Sequence, residues 1–211
     1  MKRTRFLVPV LVTLLTTACS SLLNVQRTPF TVYAPQVAPL TASTEPPVDW
    51  QLVIETPLAS DTLDSARIAV MPTPGVLEVF PAARWRDSAP AMLRGLIVLG
   101  FETSHRIVGV GSSASGLRGD YSLAIELHDF QLEIRDGSAH AAVRLQARLL
   151  DYTTNRVLAT RAFAQEAPAA GTDAASAFVA FQASLNALIP ELVDWTLHEG
   201  SMARSRSAPR T

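Results

Sequence analysis

This 211-residue chain carries a single cysteine, so no disulfide can form within it. Stability must therefore come from a packed apolar core, which a domain of about 150 residues supplies by burying about 70% of its unfolded surface. An excess of one charge is also missing. The 18 Lys and Arg against 19 Asp and Glu leave a formal net charge of −1, which gives no electrostatic footprint for a polyanion such as nucleic acid. No Gly-x-Ser-x-Gly elbow is present, which removes the commonest frame for a serine hydrolase. The run Gly109-Val110-Gly111-Ser112 lacks GxGxxG spacing and leads towards a strand, so it is read as a flexible loop and not a nucleotide cradle. No internal repeat is visible.

What is present begins at the N-terminus. Lys2, Arg3 and Arg5 precede an apolar run over residues 6–16, and small residues lead to Cys19. Eleven residues are too few for a helical span, which takes roughly 20, so residues 1–18 read as a removable signal peptide. Leu14-Leu15-Thr16-Thr17-Ala18-Cys19-Ser20 resembles a bacterial lipobox, with Thr16 where leucine is usual. Cys19 is the candidate lipidation site, and no cofactor is expected beyond that covalent lipid. Two or more acyl chains make such an anchor stable, at roughly 0.8 kcal/mol per buried CH₂. Ordinary signal-peptidase cleavage near Ala18 is the alternative. Ser20 stands where a lipoprotein retained at the inner membrane often has aspartate, so the expected location is the outer membrane, periplasmic face.

Residues 19–47 are rich in Ser, Thr and Pro and read as an extended tether, in which Phe30, Val32 and Tyr33 are apolar enough to pack on the domain or a partner. The folded domain is expected over 48–198. Strands are predicted at 50–55 and at Arg67-Ile68-Ala69-Val70-Met71, each stopped by proline. A helix follows Asp87-Ser88, with Ala89, Met92, Leu93, Leu96, Ile97 and Phe101 spaced three or four apart along one face. Residues 109–119 read as a Gly/Ser loop. Tyr121, Leu123, Ile125 and Leu127 then alternate, and the phase slips by one at His128-Asp129 before Phe130, Leu132 and Ile134, as at a β-bulge. Asp136-Gly137 predicts a hairpin turn, with strands at 139–149 and 157–163 beyond it.

A last helix is predicted over 173–197, with Phe178, Phe181, Leu185, Leu188, Leu192 and Trp195 on one side and a kink or break at Pro190. Residues 199–211 read as a basic disordered tail, with Arg204, Arg206 and Arg210 and no acid from Ser201 onward. The resulting order, β-β-α-β-β-β-α, implies a two-layer α+β domain with a largely antiparallel sheet and two main helices.

Residues 50–195 resemble the ABC-type transport auxiliary lipoproteins, a family that includes the lipoprotein of the paraquat-inducible operon. The resemblance rests on Trp50-Gln51-Leu52, Arg67-Ile68-Ala69-Val70-Met71-Pro72, Arg84-Trp85-Arg86-Asp87-Ser88-Ala89-Pro90, the strand YSLAIELHDF at 121–130, the strand at 141–150, and Ala177-Phe178 through to Trp195. The family usually has tyrosine at the place of Trp50 and lacks a proline at that of Pro190.

The resemblance implies a non-enzymatic accessory subunit of an inter-membrane lipid transport system. Its partners would be a periplasmic mammalian-cell-entry-domain protein, an inner-membrane ABC permease and ATPase, the phospholipid membrane through the anchor, and further copies of itself. Two other readings stay open: an envelope-assembly lipoprotein that activates a cell-wall synthase or scaffolds secretion, and a stand-alone lipid-binding carrier.

No residue reads as catalytic. His105, His128, His140 and His198 form at most two-member groups with acids, Glu102 with His105 and Glu126 with His128, and a zinc site needs three or four ligands. No metal site is expected. The candidate partner-binding cluster is Arg84, Trp85 and Arg86, because Trp and Arg dominate binding hot spots; the alternative is that Trp85 packs beneath the start of the helix.

Overall fold

The computed structural model describes residues 29–40 and 46–207. Cys19 and the expected signal peptide lie outside the described residues. From Thr31 onward the chain forms one compact unit.

The centre of that unit is a fifteen-residue strand, β7 (Tyr121–Arg135). One of its edges is filled along its whole length by the antiparallel β8 (Ser138–Asp151), which in turn pairs with β9 (Val157–Ala169). The other edge is shared by three shorter strands lying parallel to β7. Residues 52–54 of β2 (Val48–Ile54) meet 121–123, β3 (Leu58–Ala59) meets 126–127, and residues 69–71 of β4 (Arg67–Thr73) meet 131–133. Beyond β4 lie the antiparallel β5 (Val76–Trp85) and, parallel to β5, the short β1 (Thr31–Tyr33). Beyond β2 lies the parallel β6 (Ile107–Ser112). The described residues thus build a nine-stranded sheet.

This corrects the expectation of a largely antiparallel sheet: the fold is α+β with two helices, but the sheet is mixed. Only hairpin-linked neighbours are antiparallel. Strands β2, β3 and β4 reach β7 through a long connection containing a helix, which returns the chain in the same direction.

Local chemistry explains the elements the sequence made legible. Asp136 and Gly137 both have positive φ, 49° and 77°, as the two central residues of a type I′ turn require. The slip at His128 is a β-bulge between Leu127 and Asp129, and it lets Leu127 and Phe130 both point into the core. Helix α1 (Ala89–Ser104) starts at Ser88 with Pro90 in its first turn, where a missing N–H is harmless. All six residues of its predicted stripe are buried. Helix α2 (Ala174–Ser207) is capped by Asp173, whose carboxylate accepts from the N–H groups of Ala175 and Ser176 at 2.9 and 3.0 Å.

Three other expectations are overturned. Helix α2 continues through Pro190 and on to Ser207, so the segment expected as a disordered tail is helical to that point. It is held there by Arg204, which pairs with Asp120 at 3.1 Å and Asp49 at 3.7 Å. The tether boundary at 47 also moves. Residues 31–33 join the sheet, and the following segment straps α2: the Gln36 N–H donates to Gln182 and that of Ala38 to Asn186. Asn186 is the residue whose carbonyl loses its helical partner to Pro190. Finally, part of the expected Gly/Ser loop is strand β6, followed by a short 3₁₀ turn at Ser113–Ser115.

Both helices bank on one face of the sheet, and their closest approach is set by glycine. A Cβ on Gly100 of α1 would lie 2.5 Å from Ile189 Cγ2 of α2, and one on Gly200 would lie 2.5 Å from the Trp50 ring. Gly95, on the exposed side of α1, has nothing within 4 Å. Opposite outcomes follow for one chemical change. Gly100→Ala should destabilise by about 1–3 kcal/mol through overpacking. Gly95→Ala should stabilise by roughly 0.5–1 kcal/mol through helix propensity. Thermal unfolding of the two variants checks both signs.

Candidate interaction surface

The predicted cluster Arg84-Trp85-Arg86 sits at the end of β5, a strand absent from the sequence reading. Its alternation puts Trp85 inside at 0% exposure while Arg84 and Arg86 face out. Trp85 meets Phe130 and Phe181 edge-on at 5.6 and 5.2 Å, and those two rings stack at 4.8 Å. Such pairs contribute about 0.5–1.5 kcal/mol each beyond area burial. Trp85 therefore joins β5, β7 and α2 and is no surface anchor. Its indole N–H, like that of Trp50, is buried without a hydrogen-bond partner among the described residues. Arg84 and Arg86 remain as surface charge, with Arg84 opposite Arg67 in β4.

A more organised polar surface lies on the sheet face that carries no helix. The bulge at His128 sends Asp129, Gln131 and Glu133 to that face, opposite Arg144, Ala142 and His140 of β8. Arg144 reaches Asp129 at 3.0 Å and Glu133 at 2.8 Å, and also pairs with Glu166 of β9. Arg135 bridges Glu133 and Glu166. The amide of Gln131, itself 3% exposed, donates to Asp129 at 2.9 Å and Glu133 at 3.2 Å. Further along, Arg148 joins Glu126 and Gln146.

Most of these side chains are fixed by more than one partner, which gives the face a rigid charge pattern. Burial works against the charge on Arg144, but the hydrogen bonds it donates to Asp129 and Glu166 outweigh it and raise its pKa. Arg135, and then Arg144, hold the Glu166 carboxyl below its usual range. The sequence places Arg144 and Arg148 at alternate positions of β8 but does not show which carboxylates they meet.

The histidines stay apart. His105 ends α1 with φ 53°, His128 occupies the bulge, His140 flanks the charged face, and His198 lies on the outer side of α2. Among the described residues, no group of three His, Cys, Asp or Glu is placed to hold a metal ion.

Comparison with known proteins decides the family. Residues 30–193 match the model of the ABC-type transport auxiliary lipoprotein component. The chain belongs to that family. The crystal structure of protein XCC0632 from Xanthomonas campestris matches with a TM-score of 0.78 at 37% identity, covering 83% of this chain and 99% of that one. A crystal structure of an uncharacterized protein shares the fold at 14% identity and TM-score 0.56, covering 85% and 99% of the two chains. Uncharacterized protein bll6063 of Bradyrhizobium diazoefficiens is 28% identical over 147 residues, 69% of this chain but only 39% of its own length.

In this auxiliary lipoprotein the charged face has a defined pH response. A carboxylate whose pKa is depressed by folding stabilises fully above its unfolded value, and that contribution is lost as pH falls through the folded value. Glu166 is such a group, so part of the stability should disappear as pH falls below about 5, near the ordinary range of a free Glu. Glu166→Gln should flatten that limb of the stability curve while leaving neutral-pH folding intact, as measured by urea midpoints across the range.

Proposed function

We propose that this auxiliary lipoprotein is a non-enzymatic subunit of an ABC-transporter complex that moves lipid between the two membranes. It is anchored through Cys19 at the periplasmic face of the outer membrane and acts by protein contacts with a mammalian-cell-entry-domain protein. The family match over residues 30–193 carries the reading. One feature supports it: the fixed ion-pair pattern across an uncovered sheet face. Ion pairs set in a rigid sheet suit recognition, since charge complementarity governs specificity and association rate more than bulk affinity.

The test is recovery of the full-length lipoprotein from detergent-solubilised envelopes. An ABC permease, its ATPase and a mammalian-cell-entry-domain protein should co-purify with it. Recovery of a cell-wall synthase instead would favour the envelope-assembly reading, and phospholipid without protein partners would favour a carrier. Cys19→Ala should move the protein from the outer-membrane to the soluble fraction. Arg84→Glu combined with Arg86→Glu should abolish co-purification without changing thermal unfolding if these exposed arginines touch the partner; retained binding removes them from the contact.

A further inference from the structure

A cavity of about 560 Å³ opens at one end of the sheet, lined by Tyr121, Asp151, Arg156, Val157, Leu158, Ala203 and Arg206. It lies where β7 begins, β8 ends, β9 begins and the last turn of α2 crosses. The chain enters the sheet in its other half. Thr31 pairs with Ala83, one residue from the Arg84–Arg67 pairing, and β4 runs on to meet residues 131–133.

This cavity gathers polar groups without partners around one buried ring. Its two guanidinium groups, Arg156 and Arg206, form no ion pair or hydrogen bond among the described residues, whereas Arg204 between Asp49 and Asp120 is neutralised. Tyr121 is 6% exposed, and its hydroxyl has no hydrogen-bond partner there either. Burial raises its pKa, so it stays a neutral donor. Its ring is held edge-on against Trp50 at 5.2 Å, and Trp50 is in turn pinned by Gly200.

The single carboxylate, Asp151, is already engaged. It accepts from the Thr153 N–H at 3.1 Å and from the Thr154 N–H and hydroxyl at 2.8 Å each. Val157 (48% exposed), Leu158 and Ala203 supply an apolar wall beside these donors.

We propose that this cavity binds a single-headed anionic amphiphile, a carboxylate or phosphate monoester on an alkyl stem. Arg156, Arg206 and the Tyr121 hydroxyl hold the head, and Val157, Leu158 and Ala203 hold the stem. The size falls within the roughly 300–1,000 Å³ of small-molecule sites, and the lining sets polar groups beside a smaller apolar wall. Two guanidinium donors favour an anion because charge-assisted hydrogen bonds are about twice as strong as neutral ones. This inference does not depend on which proteins the chain contacts.

The test is calorimetric titration of the full chain with decanoate, decyl phosphate, decanol and inorganic phosphate, each below its aggregation concentration. Decanoate or decyl phosphate should saturate at one per chain. Arg156→Gln with Arg206→Gln should weaken that binding at least tenfold, and decanol should bind at least tenfold more weakly than either anion. Both arginines are exposed, so the variant should unfold at the wild-type temperature. Arg67→Gln with Arg86→Gln should leave binding unchanged. No saturable binding, equal affinity in the Arg156/Arg206 variant, or inorganic phosphate binding as tightly as the alkyl anions would overturn the proposal.

Discussion

The domain depends on a constraint inside one strand. β7 is fifteen residues long and must keep its apolar side chains against two helices throughout. A one-residue slip in a strand sends every following side chain to the opposite face. Here the sequence itself slips at His128, and the bulge cancels it by leaving that residue unpaired. Leu127 and Phe130 then lie on the same side, Phe130 reaches Trp85 and Phe181, and the core closes. The same event delivers Asp129, Gln131 and Glu133 to the far face, where Arg135 and Arg144 meet them. One irregularity therefore builds both the aromatic centre and the charged surface.

The second organising fact is that a long strand can be shared. β2, β3 and β4 each cover only part of β7, so the sheet divides on that side into two arms, one continuing to β6 and the other to β5 and β1. The arms leave different surroundings at the two ends of β7. Near its start, Tyr121 is framed by Trp50, the β8–β9 turn and the end of α2, which makes a cavity with donors lacking partners. Near its end, the carboxylates and arginines satisfy each other. An anion-seeking cavity and a self-neutralised face thus occupy opposite regions of one strand.

Helix α2 shows how tertiary packing overrides local rules. By length and apolarity it passes the test for a membrane-spanning helix, yet half of the qualifying stretch is buried in the core. Proline at position 190 ought to interrupt it, and three arginines without an acid suggested a disordered tail. Packing of Phe181, Leu185, Leu188 and Leu192 against the sheet carries the helix through the proline. Beyond it, Gly200 seats on Trp50 and Arg204 reaches Asp49 and Asp120, contacts that order the last turns. Both of these depend on residues about 80 to 150 positions away, which a local window does not contain.

Periodicity by itself determined both helix stripes, the bulge at His128 and the turn at Asp136-Gly137, because each is written in the spacing or chemistry of adjacent residues. The expected leader and its cysteine rest on equally local signals. Strand direction, the addition of residues 31–33 to the sheet, the burial of Trp85 and the assembly of the Glu133–Arg144–Glu166 network were decided only by the tertiary structure. Each depends on which distant segments become neighbours. An alternating strand looks the same whether its partner runs parallel or antiparallel, and a tryptophan between arginines looks the same whether its face meets water or a helix.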